Sequence, residues 1–201
     1  MLLPINADHP EPRKVRRAVD ALEHGDVIAY PTDTVYGIGC DLFNKKAIDR
    51  IYQIKQLPKS HNLTFICPDL SDIARYAIVD NSQYRLLRRV LPGPFTFILE
   101  ATREVPKIVQ SKRKTVGIRV PNCPIVQAIV KELGRPVITS SAVSQSGEPF
   151  IDPEEIDDRF KGLAMVLDSG AGGLETTTVV DLTSGEVEVL REGAGPVSDL
   201  Y

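Results

Sequence analysis

Apolar residues recur along the chain with two periods, and their alternation sets out the expected elements. Val15, Ala18, Val19 and Leu22 fall at helical spacing between Pro12 and Glu23, Arg13, Lys14, Arg16 and Arg17 lie mostly off that face, and Gly25 ends the segment. Val27–Tyr30 is a short continuous apolar run that reads as a buried strand, followed by a polar loop over Pro31–Gly37. Asn44 is a good N-cap for a helix carrying Ala47, Ile48, Ile51, Tyr52 and Ile54, which Leu57-Pro58 stops. Leu63–Cys67 reads as a strand, Leu70–Tyr76 and Asn81–Leu91 as short helices, and Pro92-Gly93-Pro94 as a break. Phe95–Leu99 and Thr115–Val120 read as strands. Asn122 is expected to cap a helix from Pro124 to Leu133, and Gly134 ends it. Val137–Thr139 is a strand running into Ser140-Ser141, and Pro153–Phe160 is a short acidic helix stopped by Gly162. The tail holds β-rich pieces at Ala164–Leu167, Thr178–Leu182 and Val187–Arg191, the last two joined as a hairpin through Thr183-Ser184-Gly185. Alternating strands and helices with a late hairpin predict an α/β fold with a mixed sheet. No repeat or shift in composition marks a boundary, so one domain over residues 1–201 is expected.

Composition narrows the class. The chain is 42% hydrophobic and 25% charged over 201 residues, enough to bury a core. No apolar run is long enough to span a bilayer, and Met1–Pro10 lacks the charged and apolar regions of a secretory signal. Cys40, Cys67 and Cys123 are odd in number and far apart, which fits a reducing cytoplasm and argues against a disulfide framework. His9, His24 and His61 make no metal-ligand spacing with them, and no CxxC or HExxH occurs, so no built-in metal site is expected. Net charge is −3, unevenly spread. Residues 1–120 hold 19 Lys and Arg against 13 Asp and Glu, a balance of +6, and residues 121–201 hold 5 against 14, a balance of −9. Such asymmetry marks either a basic face for a phosphate-bearing partner or ordinary solvated helix faces. The candidates for a basic face are Lys45, Lys46, Arg50, Lys55, Lys59, Arg85, Arg88, Arg89, Lys112, Arg113 and Lys114.

The chain has no GxxxxGK[ST] loop, no GxGxxG after a strand and no GxSxG elbow. What it has is polar clusters beside strands: Thr32, Asp33, Thr34 and Tyr36 after Val27–Tyr30, Arg119 late in Thr115–Val120, Ser140 and Ser141 after Val137–Thr139, and Arg191 after Val187–Leu190. Ligands of open α/β sheets collect at strand ends, where hydroxyls and arginines bind anions. Each cluster also fits a structural role: a turn held by Asx or ST hydrogen bonds for Pro-Thr-Asp-Thr, a capped strand end for Ser140-Ser141, a surface ion pair for Arg119. From spacing, the chain is an anion-binding α/β protein.

Six motifs in order give a more specific reading. VIAYPTDTVYGIG (Val27–Gly39), LPGPFTFIL (Leu91–Leu99), TVGIRVP (Thr115–Pro121), ITSSA (Ile138–Ala142), TTVVDL (Thr177–Leu182) and LREGA (Leu190–Ala194) resemble successive blocks of the YrdC-like threonylcarbamoyl-AMP synthases. The resemblance covers about residues 12 to 195. It implies a twisted, open mixed sheet with a positively charged concave cavity. It also implies a reaction in which threonine, bicarbonate and ATP, the last with Mg²⁺, give threonylcarbamoyl-AMP and pyrophosphate for modification of an adenosine next to the tRNA anticodon. By the same resemblance Thr34, Arg119 and Thr177 hold threonine, Lys55 offsets phosphate charge as the catalytic lysine, and His61, Thr115, Thr139, Ser141 and Arg191 contact ATP. The sequence departs from the family pattern at Leu57, where an arginine is usual, and at Val143, where an asparagine is usual. The segment before Gly147 is one residue longer and His61-Asn62 replaces a more common pair, departures that resemble the YciO branch. The chain ends ten residues after Arg191, short of the extra domain of longer relatives. The alternative reading is a paralogue with weakened catalysis that binds or matures RNA, either tRNA or a double-stranded RNA.

Overall fold

A computed structural model describes all residues, Met1–Tyr201. From the N-terminus the chain forms β1 (Leu2–Pro4), α1 (Pro12–Glu23), β2 (Ile28–Tyr30), β3 (Gly37–Asp41), α2 (Lys45–Ile54) and β4 (Thr64–Ile66). It continues through α3 (Leu70–Tyr76), β5 (Ala77–Ile78), α4 (Asn81–Val90), β6 (Phe95–Ala101), β7 (Thr115–Arg119) and α5 (Pro124–Leu133). The last elements are β8 (Val137–Ser141), α6 (Pro153–Arg159), β9 (Met165–Asp168), β10 (Thr178–Asp181), β11 (Glu188–Arg191) and a 3-10 turn at Val197–Leu200. All eleven strands belong to one mixed sheet, ordered β1-β9-β2-β3-β8-β4-β7-β6-β10-β11, with β5 against β6. The β1–β9, β2–β9, β4–β7 and β6–β10 pairs are parallel and the others antiparallel.

The helices form where their caps and periods require. Asn44 accepts the Ala47 N–H at 3.0 Å to open α2. Asp80 and Gln83 make a capping box at the start of α4. Asn122 does not cap α5. The N-cap is Cys123, which makes no side-chain cap bond and instead donates its Sγ–H to the Pro31 carbonyl at 3.5 Å, while the Asn122 N–H donates to Asp33 Oδ2 at 2.9 Å. Gly134 ends α5 in the left-handed region at φ 70°.

Alternation along the strands divides the core in two. Ala29, Phe65, Phe97, Ile118, Ile138, Val166 and Val180 face a cluster of 36 buried residues that also takes Ile48 and Ile51 of α2, Tyr76 of α3, Leu87 of α4 and Ile156 of α6. Their neighbours Ile28, Tyr30, Ile66, Val137 and Met165 face a second cluster of 19, covered by α1 and α5. Beyond those two helices the second face is of mixed polarity, with Thr64, Thr96, Gly117 and Thr139 beside Ile98 and Val179, and the cavity lies there. Elements outside residues 12–195 contribute as well: Leu3 and Ile5 are buried in the second cluster and Leu200 in the first. Cys40, Cys67 and Cys123 are free and buried. No helix is long and apolar enough to cross a membrane.

Candidate functional site

Directly paired residues of neighbouring strands point to the same side of a sheet, so the register shows which side chains share a face. Thr64 pairs with both Gly117 and Thr139, Gly117 with Ile98, Thr139 with Gly39, Ser141 with Gly37, and Val179 with both Thr96 and Arg191. Period two adds Thr115 and Arg119 on β7. The result is a floor of threonines, serine and glycine, interrupted by Ile98 and Val179, under a cavity of about 640 Å³. Gly117 keeps that floor low: a Cβ there would sit 3.4 Å from Thr64 Oγ1, an ordinary contact, and a longer side chain would fill the space above. The sequence reading put the ligand at strand ends. The structure brings the strand-end residues Arg119, Ser140, Ser141 and Arg191 into the lining and extends the cavity across the strand faces through Thr64, Thr96, Gly117 and Val179.

Four cationic side chains line the cavity, Lys55, Arg119, Arg159 and Arg191, and no Asp or Glu does. Of the nine expected site residues, Lys55, His61, Thr115, Arg119, Thr139, Ser141, Thr177 and Arg191 line it, and Thr34 does not. Thr34 reaches the cavity through Arg119, whose Nη2 donates to Thr34 Oγ1 at 2.7 Å and to Thr32 Oγ1 at 3.0 Å. The same nitrogen pairs with Asp33. Arg119 is therefore no surface ion pair: it is 6% exposed, and its Nε is buried without any hydrogen-bond partner. The Pro-Thr-Asp-Thr segment is also a turn, since Thr32 Oγ1 donates to the Val35 carbonyl at 2.6 Å and accepts the Thr34 N–H at 3.0 Å. The segment from Ser169 to Thr176 straps over it. The Gly173 N–H donates to the Thr34 carbonyl at 2.8 Å, and a Cβ at Gly173 would stand 2.3 Å from that oxygen, so only glycine permits the approach.

Lys55, just past α2, is buried away from any carboxylate. Its Nζ donates to the Val143 carbonyl at 2.9 Å and lies 4.8 Å from the centroid of the Phe160 ring. Burial, and secondarily the charge of Arg159, lowers its pKa to about 8. His61, on the rim, is held below its ordinary pKa by desolvation and by Lys55. Arg191 donates through Nε and Nη2 to the Thr177 carbonyl at 3.2 and 2.9 Å, and Thr177 Oγ1 is 2.8 Å from Thr96 Oγ1. Thr139 Oγ1 accepts from the Tyr30 hydroxyl at 2.7 Å, and Thr115 Oγ1 is 2.7 Å from Ser111 Oγ. Leu57 lines the cavity as an apolar side chain packed against the main core, with Val143 also in the lining. Sequence reasoning missed Arg159 altogether. It lay in a helix read only as acidic, and its one signal was a lone arginine in the last turn of that helix.

The site is a cavity in an open α/β sheet lined by four cationic side chains and no carboxylate, a lining chemically suited to an anionic group. Comparison with known proteins gives the family. The family model for Sua5, YciO and YrdC proteins, described as "Telomere recombination", matches residues 20–193, and the chain belongs to that family. It is 44% identical to the uncharacterized protein YciO of Escherichia coli K12 over 196 residues, 96% of this chain and 95% of that one. The crystal structure of E. coli YciO superposes with a TM-score of 0.95 at 42% identity, covering 100% of this chain and 99% of that one. A threonylcarbamoyl-AMP synthase of Vibrio vulnificus is 36% identical over 137 residues, 67% of this chain and 73% of that one. The structure of P. abyssi Sua5 complexed with L-threonine matches with a TM-score of 0.92 at 25% identity, over 100% of this chain and 59% of that one.

Proposed function

We propose that the cavity takes ATP, L-threonine and bicarbonate and forms threonylcarbamoyl-AMP and pyrophosphate, supplying the group that modifies an adenosine next to the tRNA anticodon. The observation that carries this reading is the lining: four cations and no carboxylate over a hydroxyl floor. The Vibrio synthase and the threonine-bound Sua5 structure support it. In this reading the Arg119 guanidinium and Thr177 meet the threonine carboxylate and side chain, and Thr34, outside the lining, holds Arg119 in place. His61, Thr115, Thr139, Ser141 and Arg191 meet ATP, and Lys55 offsets charge on the phosphates. The threonine amine and bicarbonate combine with loss of water to a carbamate, whose oxygen attacks the α-phosphorus. The bond from the α-phosphorus to the bridging oxygen breaks, and pyrophosphate leaves. The protein contributes binding, alignment and charge. Mg²⁺ would enter with ATP, held by phosphate oxygens and water, the donors such an ion prefers where the lining offers no carboxylate. Pyrophosphate release from ATP is expected only with threonine and bicarbonate both present. Release indifferent to either would overturn the reading.

RNA binding is a second reading, carried by a different observation. Lys45, Lys46, Arg85, Arg88, Arg89, Lys112, Arg113 and Lys114 are exposed and form no ion pair, whereas Arg50 is paired with Asp26 and Lys59 with Asp49. If about six of these contact phosphates, affinity for a short RNA duplex should fall roughly 1,000-fold between 50 and 200 mM salt. A fluorescence titration showing no binding at 50 mM salt removes this reading and leaves the synthase reading untouched.

A further inference from the structure

The cavity holds one cation that neither the sequence motifs nor the fold explains. Arg159 closes the last turn of α6, a helix that otherwise carries Glu154, Glu155, Asp157 and Asp158. Those acids are near in sequence, yet Arg159 makes no ion pair and no side-chain hydrogen bond. Asp157 is taken by the N-terminal ammonium at 2.9 Å and Asp158 by Lys161 at 3.3 Å. Arg159 is exposed but lines the cavity. Its place there is fixed by the next residue. Phe160, 5% exposed, packs edge-on against Phe150 with ring centroids 5.3 Å apart, and its own ring underlies Lys55 Nζ. The end of α6 is thus anchored beside Lys55, and the Arg159 charge is close enough to lower the Lys55 pKa. Two cations brought together without a carboxylate repel, and a fold gains nothing from that unless a multiply charged anion comes between them. Leu57, also in the lining, offers no charge.

We propose that Arg159 is an anion clamp that works with Lys55: the pair grips the polyphosphate of the nucleotide, with the planar fork of Arg159 binding phosphate oxygens that the Lys55 point charge cannot orient alone. This rests on the nucleotide reading above and adds a residue and a subsite to it. Only the outer phosphates are gripped, so the clamp distinguishes tri- and diphosphates from monophosphates.

The test is calorimetric titration of wild type, Arg159→Gln and Arg159→Lys with inorganic tripolyphosphate, ATP, AMP and L-threonine. Arg159→Gln should weaken ATP and tripolyphosphate roughly 10- to 100-fold, the effect of losing hydrogen bonds to a charged group. AMP and threonine should change less than 2-fold, and Arg159→Lys should recover only part of the loss. The residue is exposed at a helix end, so each variant should keep the wild-type melting temperature. If wild type binds ATP and Arg159→Gln binds it equally well, the clamp is overturned and the nucleotide reading stands. An equal loss for AMP also overturns the clamp, placing Arg159 at the nucleoside or α-phosphate instead. Wild type that binds tripolyphosphate through Arg159 but not ATP overturns the nucleotide reading while the phosphate clamp stands. Wild type that binds neither overturns both.

Discussion

Arg119→Leu is expected to cost about 3–5 kcal/mol of stability, the cost of breaking a buried ion pair by removing one partner. For a chain of this length that lowers the melting temperature by roughly 6–20 °C. The loss comes from what is left behind. Asp33 would stay nearly buried, its charge answered only by the Asn122 N–H at 2.9 Å. Thr32 and Thr34 would lose the Nη2 donor they share. A second change separates this cost from the worth of the pair. Asp33→Asn placed on Arg119→Leu removes the stranded charge and should restore more than half of the lost stability. Threonine binding should stay absent in both variants, because the Arg119 guanidinium that lines the cavity is gone in each. Thermal melts and titration with threonine read the two effects independently. A single variant that melts within 3 °C of wild type, or a double variant no more stable than the single, would contradict the account.

The position of that ion pair shows what the sequence could carry. Helix α1 is legible to the residue, because Pro12 opens it and its buried positions Val15, Ala18, Val19 and Leu22 keep helical period. Strand β3 is not. Gly37-Ile38-Gly39-Cys40-Asp41 contains two glycines and an acid, a composition that argues against a strand. The glycines are there for Tyr30: a Cβ at Gly39 would lie 2.6 Å from its hydroxyl, and one at Gly37 would lie 2.7 Å from its ring. Strand β1 is three residues long and finds its partner, β9, more than 160 residues away, a pairing no local pattern announces. The site was half legible. Thr115, Gly117 and Arg119 alternate with Val116 and Ile118, so a polar face was written in the sequence; strand ends located Arg119, Ser141 and Arg191 but not the part of the cavity that runs over the strand faces. The Asp33–Arg119 contact joins residues 86 apart and depends on the turn of the Pro-Thr-Asp-Thr segment. Arg159 was hidden for a related reason. Its meaning comes from Phe160 meeting Lys55 across 105 residues of chain, not from anything next to it in sequence.

Lys55→Met is expected to raise stability at neutral pH while abolishing threonine-dependent pyrophosphate release. Lys55 is 8% exposed as a residue, has no carboxylate partner, and has a pKa of about 8 against an ordinary 10.5. That difference is a penalty on the charged folded form on the order of 3 kcal/mol. Methionine keeps an unbranched apolar stem of similar length and removes the penalty, but loses the bond to the Val143 carbonyl and the contact with the Phe160 ring. The net gain should be about 1–2 kcal/mol, roughly 2–8 °C in melting temperature. The pH dependence gives a signature that packing cannot mimic. Between pH 8 and 10.5 the unfolded chain still holds the Lys55 proton while the folded chain has released it, so this residue makes wild-type stability rise with pH across that window. Below pH 8 both states are protonated and the penalty is felt in full. The advantage of Lys55→Met should therefore be constant below pH 8, shrink through the window and vanish, or change sign, above pH 10.5. Denaturant titrations of both proteins at pH 7, 9 and 10.5 measure it. A variant that is less stable than wild type at pH 7 would mean that the Val143 bond and the Phe160 ring outweigh desolvation. A variant that keeps pyrophosphate release would remove Lys55 from the chemistry. The expected pair of results, more stable and inactive, would identify Lys55 as a charge kept in the fold at a cost to stability because the phosphates of the substrate require it.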